Sequence, residues 1–183
     1  MFDLRPTYVP AIFERRKLST FINEVTWVSE TAARLESFMA ADLMEYTYGK
    51  GINARTYKSG PYHSEVLDIQ NILNGNGNDL DYNVCFLNRY DNSSMALGWH
   101  ADDSPGMDHN HPIAVISFGQ EREIWVRPNG FKGVIPPENR FMLGHGSFFE
   151  MPAHFQEFYQ HRIPKGDRAM STRISLTFRH YAP

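Results

Sequence analysis

Short apolar runs separated by turn residues dominate the second half of the chain. Each run is rich in Val, Ile, Leu or Phe and is followed by Gly, Pro, Asn or Asp. This pattern predicts the strands Asn83–Tyr90, Ile113–Phe118, Glu123–Arg127, Arg140–Leu143, Ser147–Met151 and Arg173–Arg179. Many short strands with frequent turns are typical of a barrel or a double-sheet roll.

The first half has a helical pattern. Apolar residues recur at helical spacing from about Ser29 to Tyr46, and Gly49 and Gly51 then end the pattern. The apolar positions of this predicted helix are Ala32, Leu35, Phe38, Met39 and Leu43. A second helix is predicted from about Ser64 to Leu73. Helices followed by strands indicate an α+β protein.

The length of 183 residues fits one domain. We expect a single domain over 1–183, with a helical scaffold and substrate lid in 1–80 and a β-roll catalytic core in 81–183. The formal charge of −3 gives no global basic signature, so a nucleic-acid partner would need a local basic face. Cys85 is the one cysteine, and no signal-like or membrane-spanning run is present, which predicts an intracellular location (cytoplasmic, nucleoid or nuclear). Neither a membrane nor an obligate protein partner is expected.

The candidate chemistry begins at His100-Ala101-Asp102. Residues two apart in an extended chain point to the same side, so this imidazole and this carboxylate are presented together. A second imidazole would complete a face of two histidines and one carboxylate, which is typical of non-haem Fe(II) oxygenases. Spacing does not select the second histidine, because six other histidines are available. His161 is favoured by its position between the Ser147–Met151 strand and the Arg173–Arg179 strand.

The last predicted strand has two different faces. Ile174, Leu176 and Phe178 alternate with Arg173, Ser175, Thr177 and Arg179. The polar face is either a solvated outer surface or part of a barrel interior that holds an anion. Because arginine binds carboxylates bidentately, a dicarboxylate would suit the second alternative.

Together these segments resemble the AlkB family of Fe(II)/2-oxoglutarate dioxygenases. The motifs that carry the resemblance are Asn88-Arg89-Tyr90, His100-Ala101-Asp102, Ile116-Ser117-Phe118-Gly119, His145-Gly146, His161-Arg162-Ile163-Pro164 and Arg173–Arg179. The resemblance covers the chain from Asn83 to Tyr181. It implies an α+β fold with a double-stranded β-helix (jelly-roll) core and N-terminal helices packed on one sheet. It also implies Fe(II), 2-oxoglutarate and O2 as cofactor and cosubstrates.

The resemblance implies a role for individual residues. His100, Asp102 and His161 are the expected iron ligands. Arg173 is expected to hold the distal carboxylate of 2-oxoglutarate, assisted by Asn88 and Tyr90. Arg179 is expected beside the other end of the cosubstrate and beside Asp102. Ser175 stands where some members of the family have asparagine near the cosubstrate.

The substrate implied by the resemblance is a nucleic acid with alkylated bases. Its methyl groups (1-methyladenine or 3-methylcytosine type) would be removed oxidatively, with release of formaldehyde, succinate and CO2. Arg55, Tyr57 and Tyr62 fall in a turn-rich stretch, 55–62, which is either a solvated hairpin or a base-gripping lid. Ser104 stands where nucleic-acid members commonly have an acidic residue, and Asp103 is a candidate substitute.

Two other functions stay open at this point. The same iron chemistry would serve a hydroxylase or demethylase of a protein or small molecule, which the absence of a basic charge and Ser104 favour slightly. A non-catalytic binding module on a β-roll is the remaining alternative. The three ligand positions and both arginines argue against it, because all of them are intact.

Overall fold

The computed structural model of the protein describes residues 4–42, 44–48, 54–75 and 80–182. Within these ranges the helices are α1 (Leu18–Glu24), α2 (Ser64–Gly75) and a single turn, α3 (Phe155–Phe158). The strands are β1 (Thr7–Val9), β2 (Val28–Thr31), β3 (Arg34–Ala40), β4 (Glu45–Tyr48), β5 (Arg55–Lys58), β6 (Val84–Tyr90), β7 (Leu97–His100), β8 (Ile113–Gly119), β9 (Arg122–Pro128), β10 (Arg140–Leu143), β11 (Ser147–Met151), β12 (Tyr159–Ile163) and β13 (Arg173–Arg179). The strands therefore dominate the described part of the chain, as the sequence of its second half predicts.

Two antiparallel sheets pack against each other. The larger sheet has the strand order β1-β11-β8-β13-β6-β3-β2, and the smaller sheet has the order β10-β9-β12-β7. Both sheets contribute apolar side chains to the core between them, for example Val115 and Phe149 from the larger sheet and Ile124 and Ile163 from the smaller one. This arrangement agrees with the predicted double-sheet roll and positions the strand faces that form the candidate site.

The last strand, β13, lies at the centre of the larger sheet between β6 and β8, and all seven of its residues are buried. Ile174, Leu176 and Phe178 pack into a core on the outer side of that sheet, together with residues of α1 and α2. The prediction of N-terminal helices packed on one sheet is thereby confirmed. The opposite face of β13, which begins with Arg173 and ends with Arg179, is buried towards the interior of the roll. The solvated alternative for this face is therefore wrong.

The predicted helix from Ser29 to Tyr46 is wrong, because this region forms β2, β3 and β4. Leu35, Phe38 and Met39 match helical spacing by coincidence. The alternation of β3 is hidden because its inward positions include two charged residues, Arg34 and Glu36, which pair with each other. The expected helix end at Gly49 and Gly51, like Leu43, lies outside the described residues. The second predicted helix is confirmed as α2, and α1 was not predicted.

The stretch 55–62 begins with β5, which pairs with β4 in a hairpin. Tyr46 and Tyr57 lie opposite each other in this pair, and both contact the ring of Phe86 on β6. One face of the hairpin is therefore packed on the larger sheet, while Arg55 and Lys58 are exposed.

Among the described residues, no helix has the length and apolar content needed to span a bilayer.

Candidate metal centre

His100 and His161 lie directly opposite each other on the neighbouring strands β7 and β12. Their ring centroids are 4.1 Å apart and their planes are inclined at 55°. Asp102 follows two residues after His100, and its Oδ1 atom lies 3.6 Å from His100 Nε2. Ligand atoms of the three side chains all lie within 4.8 Å of one another, so the group could hold a metal ion. Strand register thus brings together the three residues that the sequence singled out.

Contacts around these side chains fix their orientation. His100 Nδ1 donates a hydrogen bond to the carbonyl oxygen of Gly98 (2.8 Å), which leaves Nε2 as the nitrogen near Asp102. Arg179 donates from Nε and NH2 to Asp102 Oδ2 (3.1 and 2.6 Å), and the backbone N–H of Asp102 donates to Gln156 Oε1 (3.0 Å). Partners of this kind orient metal ligands and tune their basicity.

The charges of the cluster suit metal binding. Burial lowers the pKa of His100, and burial together with the neighbouring His100 lowers the pKa of His161 to about 3. Burial alone would raise the pKa of Asp102, but the positive charge and the hydrogen bonds of Arg179 outweigh it and hold that pKa below its usual range. Metal ligands must be deprotonated, and these pKa directions favour neutral imidazoles and a carboxylate.

Two atoms of the cluster indicate that a group is bound there. Asp102 Oδ1 and His161 Nδ1 are buried and have no hydrogen-bond partner among the described residues. Buried polar atoms are normally satisfied, so atoms without a partner call for an explanation such as an ion. Two imidazoles and one carboxylate with open positions are the donor set that suits Fe(II). The residues present therefore fit a ferrous ion.

A buried cation lies on the same interior face. Arg173 is 0% exposed, and its Nε atom donates to Ser117 Oγ at 2.9 Å. Its NH1 and NH2 atoms have no hydrogen-bond partner among the described residues, and its guanidinium carbon lies 5.6 Å from the ring centre of Tyr90. Burial lowers its pKa to about 10, so the group is still charged at neutral pH. An unpaired buried charge costs several kcal/mol, which a bound carboxylate would offset.

The other predicted cosubstrate residues lie on the interior face of the larger sheet, in two neighbouring rows. Ser175 pairs in register with Asn88 on β6 and with Ser117 on β8. Tyr90 pairs in register with Arg173. All of these side chains are buried, so the structure brings the predicted set together.

Two residues of this region were missed in the sequence. Arg34 on β3 donates from Nε to Asn88 Oδ1 (2.6 Å) and forms an ion pair with Glu36. A cavity reaches the cluster, and its lining residues are Arg34, Phe86, Asn88, Leu97, His100, Asp102 and Arg179. Arg34 and Glu36 escaped notice because a helix was expected there. Their spacing of two residues is the one signal that could have indicated a shared strand face.

The predicted substrate residues do not all lie near the cavity beside His100. Tyr57 contacts Phe86, which lines the cavity, and its hydroxyl donates to Glu36 at 3.3 Å. Tyr62 instead packs on the α2 side of the larger sheet, where its hydroxyl bonds to Gln70. Arg55 is exposed on the hairpin.

The neighbouring residues Asp103 and Ser104 lie in different surroundings. Ser104 is buried near the side chain of Tyr46. Asp103 lines an open polar depression together with Asn129 and Gln160, rather than the cavity beside His100.

The chain matches the family model of the 2OG-Fe(II) oxygenase superfamily over residues 7–179. It therefore belongs to the 2OG-Fe(II) oxygenase superfamily. Fe(II), 2-oxoglutarate and O2 are the cofactor and cosubstrates that this family implies, in agreement with the prediction from the sequence.

The similar proteins are AlkB homologues. The chain is 30% identical over 151 residues to alpha-ketoglutarate-dependent dioxygenase alkB homolog 3 of Bos taurus, covering 76% of this chain and 49% of that protein. It is 27% identical over 179 residues to the Homo sapiens protein of the same name, covering 91% of this chain and 61% of that protein. It is 32% identical over 139 residues to DNA oxidative demethylase ALKBH2 of Arabidopsis thaliana, covering 65% of this chain and 43% of that protein.

A solved structure supports the same fold. The structure of OsALKBH1 matches with a TM-score of 0.60 at 16% identity, covering 97% of this chain and 98% of that one. The family model and the similar sequences confirm the resemblance to the AlkB family, and the structural match supports the predicted jelly-roll fold. The chain spans about half the length of the curated relatives it matches.

Proposed function

We propose that this chain oxidatively removes methyl groups from nucleic-acid bases of the 1-methyladenine or 3-methylcytosine type. The observation that carries the proposal is the cluster of His100, Asp102 and His161 with the unpaired, buried guanidinium of Arg173 on the same interior face. Similarity to a protein named DNA oxidative demethylase supports the substrate class. In the net reaction one oxygen atom of O2 enters succinate and the other enters the methyl carbon. CO2 leaves the cosubstrate, and formaldehyde leaves the hydroxymethylated base.

His100, Asp102 and His161 would hold the ferrous ion on one face and leave positions open on the other. When bound, the iron supplies oxidation of the methyl group with O2 and 2-oxoglutarate. The chain contributes orientation to this reaction. Arg179 holds the carboxylate of Asp102 through two hydrogen bonds, and Gly98 fixes the ring of His100. Burial keeps both imidazoles neutral and ready to bind.

Arg173 is the anchor in this proposal for the distal carboxylate of 2-oxoglutarate. Its NH1 and NH2 atoms have no other described partner, and Ser117 holds its Nε atom. Tyr90, Asn88 and Ser175 would complete the walls of the cosubstrate site. Asn88 Oδ1 already accepts a hydrogen bond from Arg34 Nε. The side-chain nitrogen of Asn88 is therefore the group that would donate to the cosubstrate.

The methylated base would bind at the mouth of the cavity beside His100, because the cavity itself, about 20 Å³, is smaller than a base. Phe86 and Leu97 supply apolar walls there, and Tyr57 packs behind Phe86. A base reaches such a pocket only after leaving the stack, which costs least for a damaged or single-stranded base. Arg55, exposed on the hairpin that carries Tyr57, would contact the backbone of the substrate. Tyr62, Asp103 and Ser104 have weaker support as base contacts, because none of them lines this cavity.

The proposal is tested by mass spectrometry of a mixed pool of methylated oligonucleotides before and after incubation with the protein, Fe(II), 2-oxoglutarate and air. We expect loss of one methyl group from 1-methyladenine or 3-methylcytosine, with formaldehyde and succinate formed in equal amounts. The variant Asp102→Ala serves as the control and should leave the pool unchanged. An unchanged pool with the wild-type protein, at full iron and cosubstrate occupancy, would contradict the proposal.

One observation favours a second candidate, a hydroxylase or demethylase of a protein or small molecule. Ser104 replaces an acidic residue at a position where nucleic-acid members of the family commonly read the base, and Ser104 is buried beside Tyr46. Succinate formation that persists without any change in the methylated oligonucleotides would identify this candidate. An intracellular location and the lack of an obligate protein partner stay predictions from the sequence.

A further inference from the structure

A row of alternating arginine and tryptophan side chains crosses the smaller sheet. Register pairs Arg140 on β10 with Trp125 on β9, and Trp125 with Arg162 on β12. The guanidinium of Arg162 also lies over Trp99 on β7, so the row runs across all four strands. The guanidinium of Arg127, two residues beyond Trp125, also lies over Trp99. We call these five side chains the arginine–tryptophan row.

The row lies on the outer face of the sheet. Ile124, Val126, His161 and Ile163 alternate with its members along β9 and β12, and all four are buried. The row residues are only half-buried. Because neighbouring side chains of a strand point to opposite faces, the row lies one sheet thickness behind His100 and His161.

The guanidiniums of the row are held in place by the indole rings. Their central carbons lie 4.1 to 4.9 Å from the ring centres: Arg162 over Trp125 and Trp99, Arg127 over Trp99, and Arg140 over Trp125. Stacking of this kind is favourable and restricts the guanidinium to one orientation. The row is therefore preorganised before any ligand binds.

The charge of the row is only partly compensated. Within the described residues none of Arg127, Arg140 and Arg162 forms an ion pair, and Arg162 Nε has no hydrogen-bond partner. Arg127 donates to Gln160, and Arg140 donates to the carbonyl of Ile135, both of them uncharged acceptors. Burial and then the charges of Arg127 and Arg140 lower the pKa of Arg162. Three positive charges are thus concentrated on one face of a chain whose net charge is −3.

We propose that the arginine–tryptophan row is a binding surface for the phosphate backbone of single-stranded nucleic acid, which deepens the proposed function by adding a second contact to the same substrate. A polyanion fits the row because its guanidiniums are carried by the three neighbouring strands β10, β9 and β12, which lie about 4.8 Å apart. Guanidinium forks match phosphate oxygens bidentately. Glu123, on the same face of β9, accepts a hydrogen bond from the indole of Trp125 at 2.8 Å and offsets part of the positive charge of the row.

The row favours phosphates over bases. Trp99 is covered by two guanidiniums, and so is Trp125. A nucleobase would have to displace an arginine before it could stack on either ring. Binding at the row should therefore depend on salt and not on base identity. Gln160, which accepts from Arg127, also lines the open depression next to Asp103.

The test measures binding of a fluorescently labelled, unmethylated oligothymidylate by anisotropy at several salt concentrations. The variant Arg127→Gln/Arg140→Gln removes two charges of the row. We expect its affinity to fall on the order of tenfold near physiological salt. The slope of log affinity against log salt should become shallower by about 0.7 for each arginine removed. The matched control, Arg15→Gln/Arg168→Gln, removes two exposed arginines outside the row and should bind like the wild-type protein.

Two further measurements are needed. The first separates the contribution of stacking to binding from that of charge, and the second separates binding at the row from activity at the metal centre. Arg162→Lys keeps the charge but loses the planar stack, so its affinity should lie between those of the wild-type protein and the double variant. Formaldehyde release from a methylated mononucleoside should be unchanged in Arg127→Gln/Arg140→Gln, which also shows that the variant is folded.

The outcomes distinguish this inference from the proposed function. Unchanged affinity and salt slope in the double variant would overturn the row as a nucleic-acid surface, even if the wild-type protein demethylates oligonucleotides. Equal competition by polyglutamate would also overturn it, because the row would then select any polyanion. A weakened double variant in a protein that releases no formaldehyde from any methylated base would support the row and reject the proposed function.

Discussion

Two clusters of histidine and aspartate lie in the part of the chain that the structure describes, and they differ in their suitability for binding a metal ion. The first consists of His100, Asp102 and His161, and the second consists of Asp108, His111 and His180. In both clusters the potential ligand atoms lie within 4.8 Å of one another. The ring centroids of the two histidines are 4.1 Å apart in the first cluster and 4.2 Å apart in the second. Composition and distance alone therefore do not separate the two.

The angle between the rings separates them. The planes of His100 and His161 are inclined at 55°, whereas those of His111 and His180 are nearly parallel at 12°. An imidazole binds a metal through a lone pair in the plane of its ring. Two inclined planes meet close to both rings, but two stacked planes do not. The second cluster is therefore poorly suited to place two imidazole nitrogens on one ion.

The polar contacts of the two clusters lead to the same distinction. Asp108 accepts hydrogen bonds from the backbone and side chain of Asn110 and from His111 Nδ1. These contacts build a local turn and lower the pKa of Asp108, with the backbone bond from Asn110 as the largest cause. Asp102, in contrast, keeps one buried oxygen without a hydrogen-bond partner among the described residues. In the second cluster both oxygens of Asp108 are satisfied by hydrogen bonds within the loop. In the first cluster the unsatisfied oxygen of Asp102 is available to bind an ion.

The largest effect is expected from removing one ligand of the first cluster. His161→Ala should lower iron-dependent succinate formation by more than about 100-fold, because loss of even the outer partners of a metal ligand costs 10–100-fold. His111→Ala is the matched change in the second cluster and should leave succinate formation unchanged. Succinate measured by mass spectrometry, with iron content measured on the same samples, decides between the two clusters. Full turnover by His161→Ala would remove the assignment of the first cluster.

A smaller effect is expected from the buried cation on the interior face shared with the first cluster. Arg173→Ala should raise the 2-oxoglutarate concentration needed for half-maximal turnover by about 30-fold or more, since a charge-assisted hydrogen bond contributes roughly 2–3 kcal/mol. Arg173→Lys keeps the charge but not the fork and should lie in between. A titration of 2-oxoglutarate that is unchanged in Arg173→Ala would assign the cosubstrate anchor to another residue.

The smallest effect is expected in the second cluster. Asp108→Asn removes a charge but keeps a side-chain oxygen for the turn, so the free energy of unfolding should change by no more than about 1 kcal/mol. Thermal unfolding with and without Mn(II) is the measurement. The stabilisation by metal, which binds only the folded state, should be the same as in the wild-type protein. Loss of that stabilisation in Asp108→Asn would make the second cluster a metal site and reverse the comparison.

Much of the roll was predictable because the pattern of apolar and polar residues within each strand shows which residues are buried on each face. The seven residues of β13 alternate strictly, and the structure buries the apolar positions on the helix side and Arg173 and Arg179 on the interior side. The N-terminal part was not predictable in the same way. In β3 the inward positions include Arg34 and Glu36, so the hydrophobic pattern of a buried strand was absent and a helix was inferred instead.

The sequence by itself determined strands β6, β8, β9, β10, β11 and β13, the shared face of His100 and Asp102 and the two faces of β13, because these follow from periodicity within one element. Tertiary structure decided which histidine joins them. His161 was one of several candidates, and only the register of β12 against β7 brings it opposite His100. The ion pair of Arg34 with Glu36 and the arginine–tryptophan row were decided in the same way. Register between strands distant in the chain is set by which faces are buried, and no local pattern contains that information.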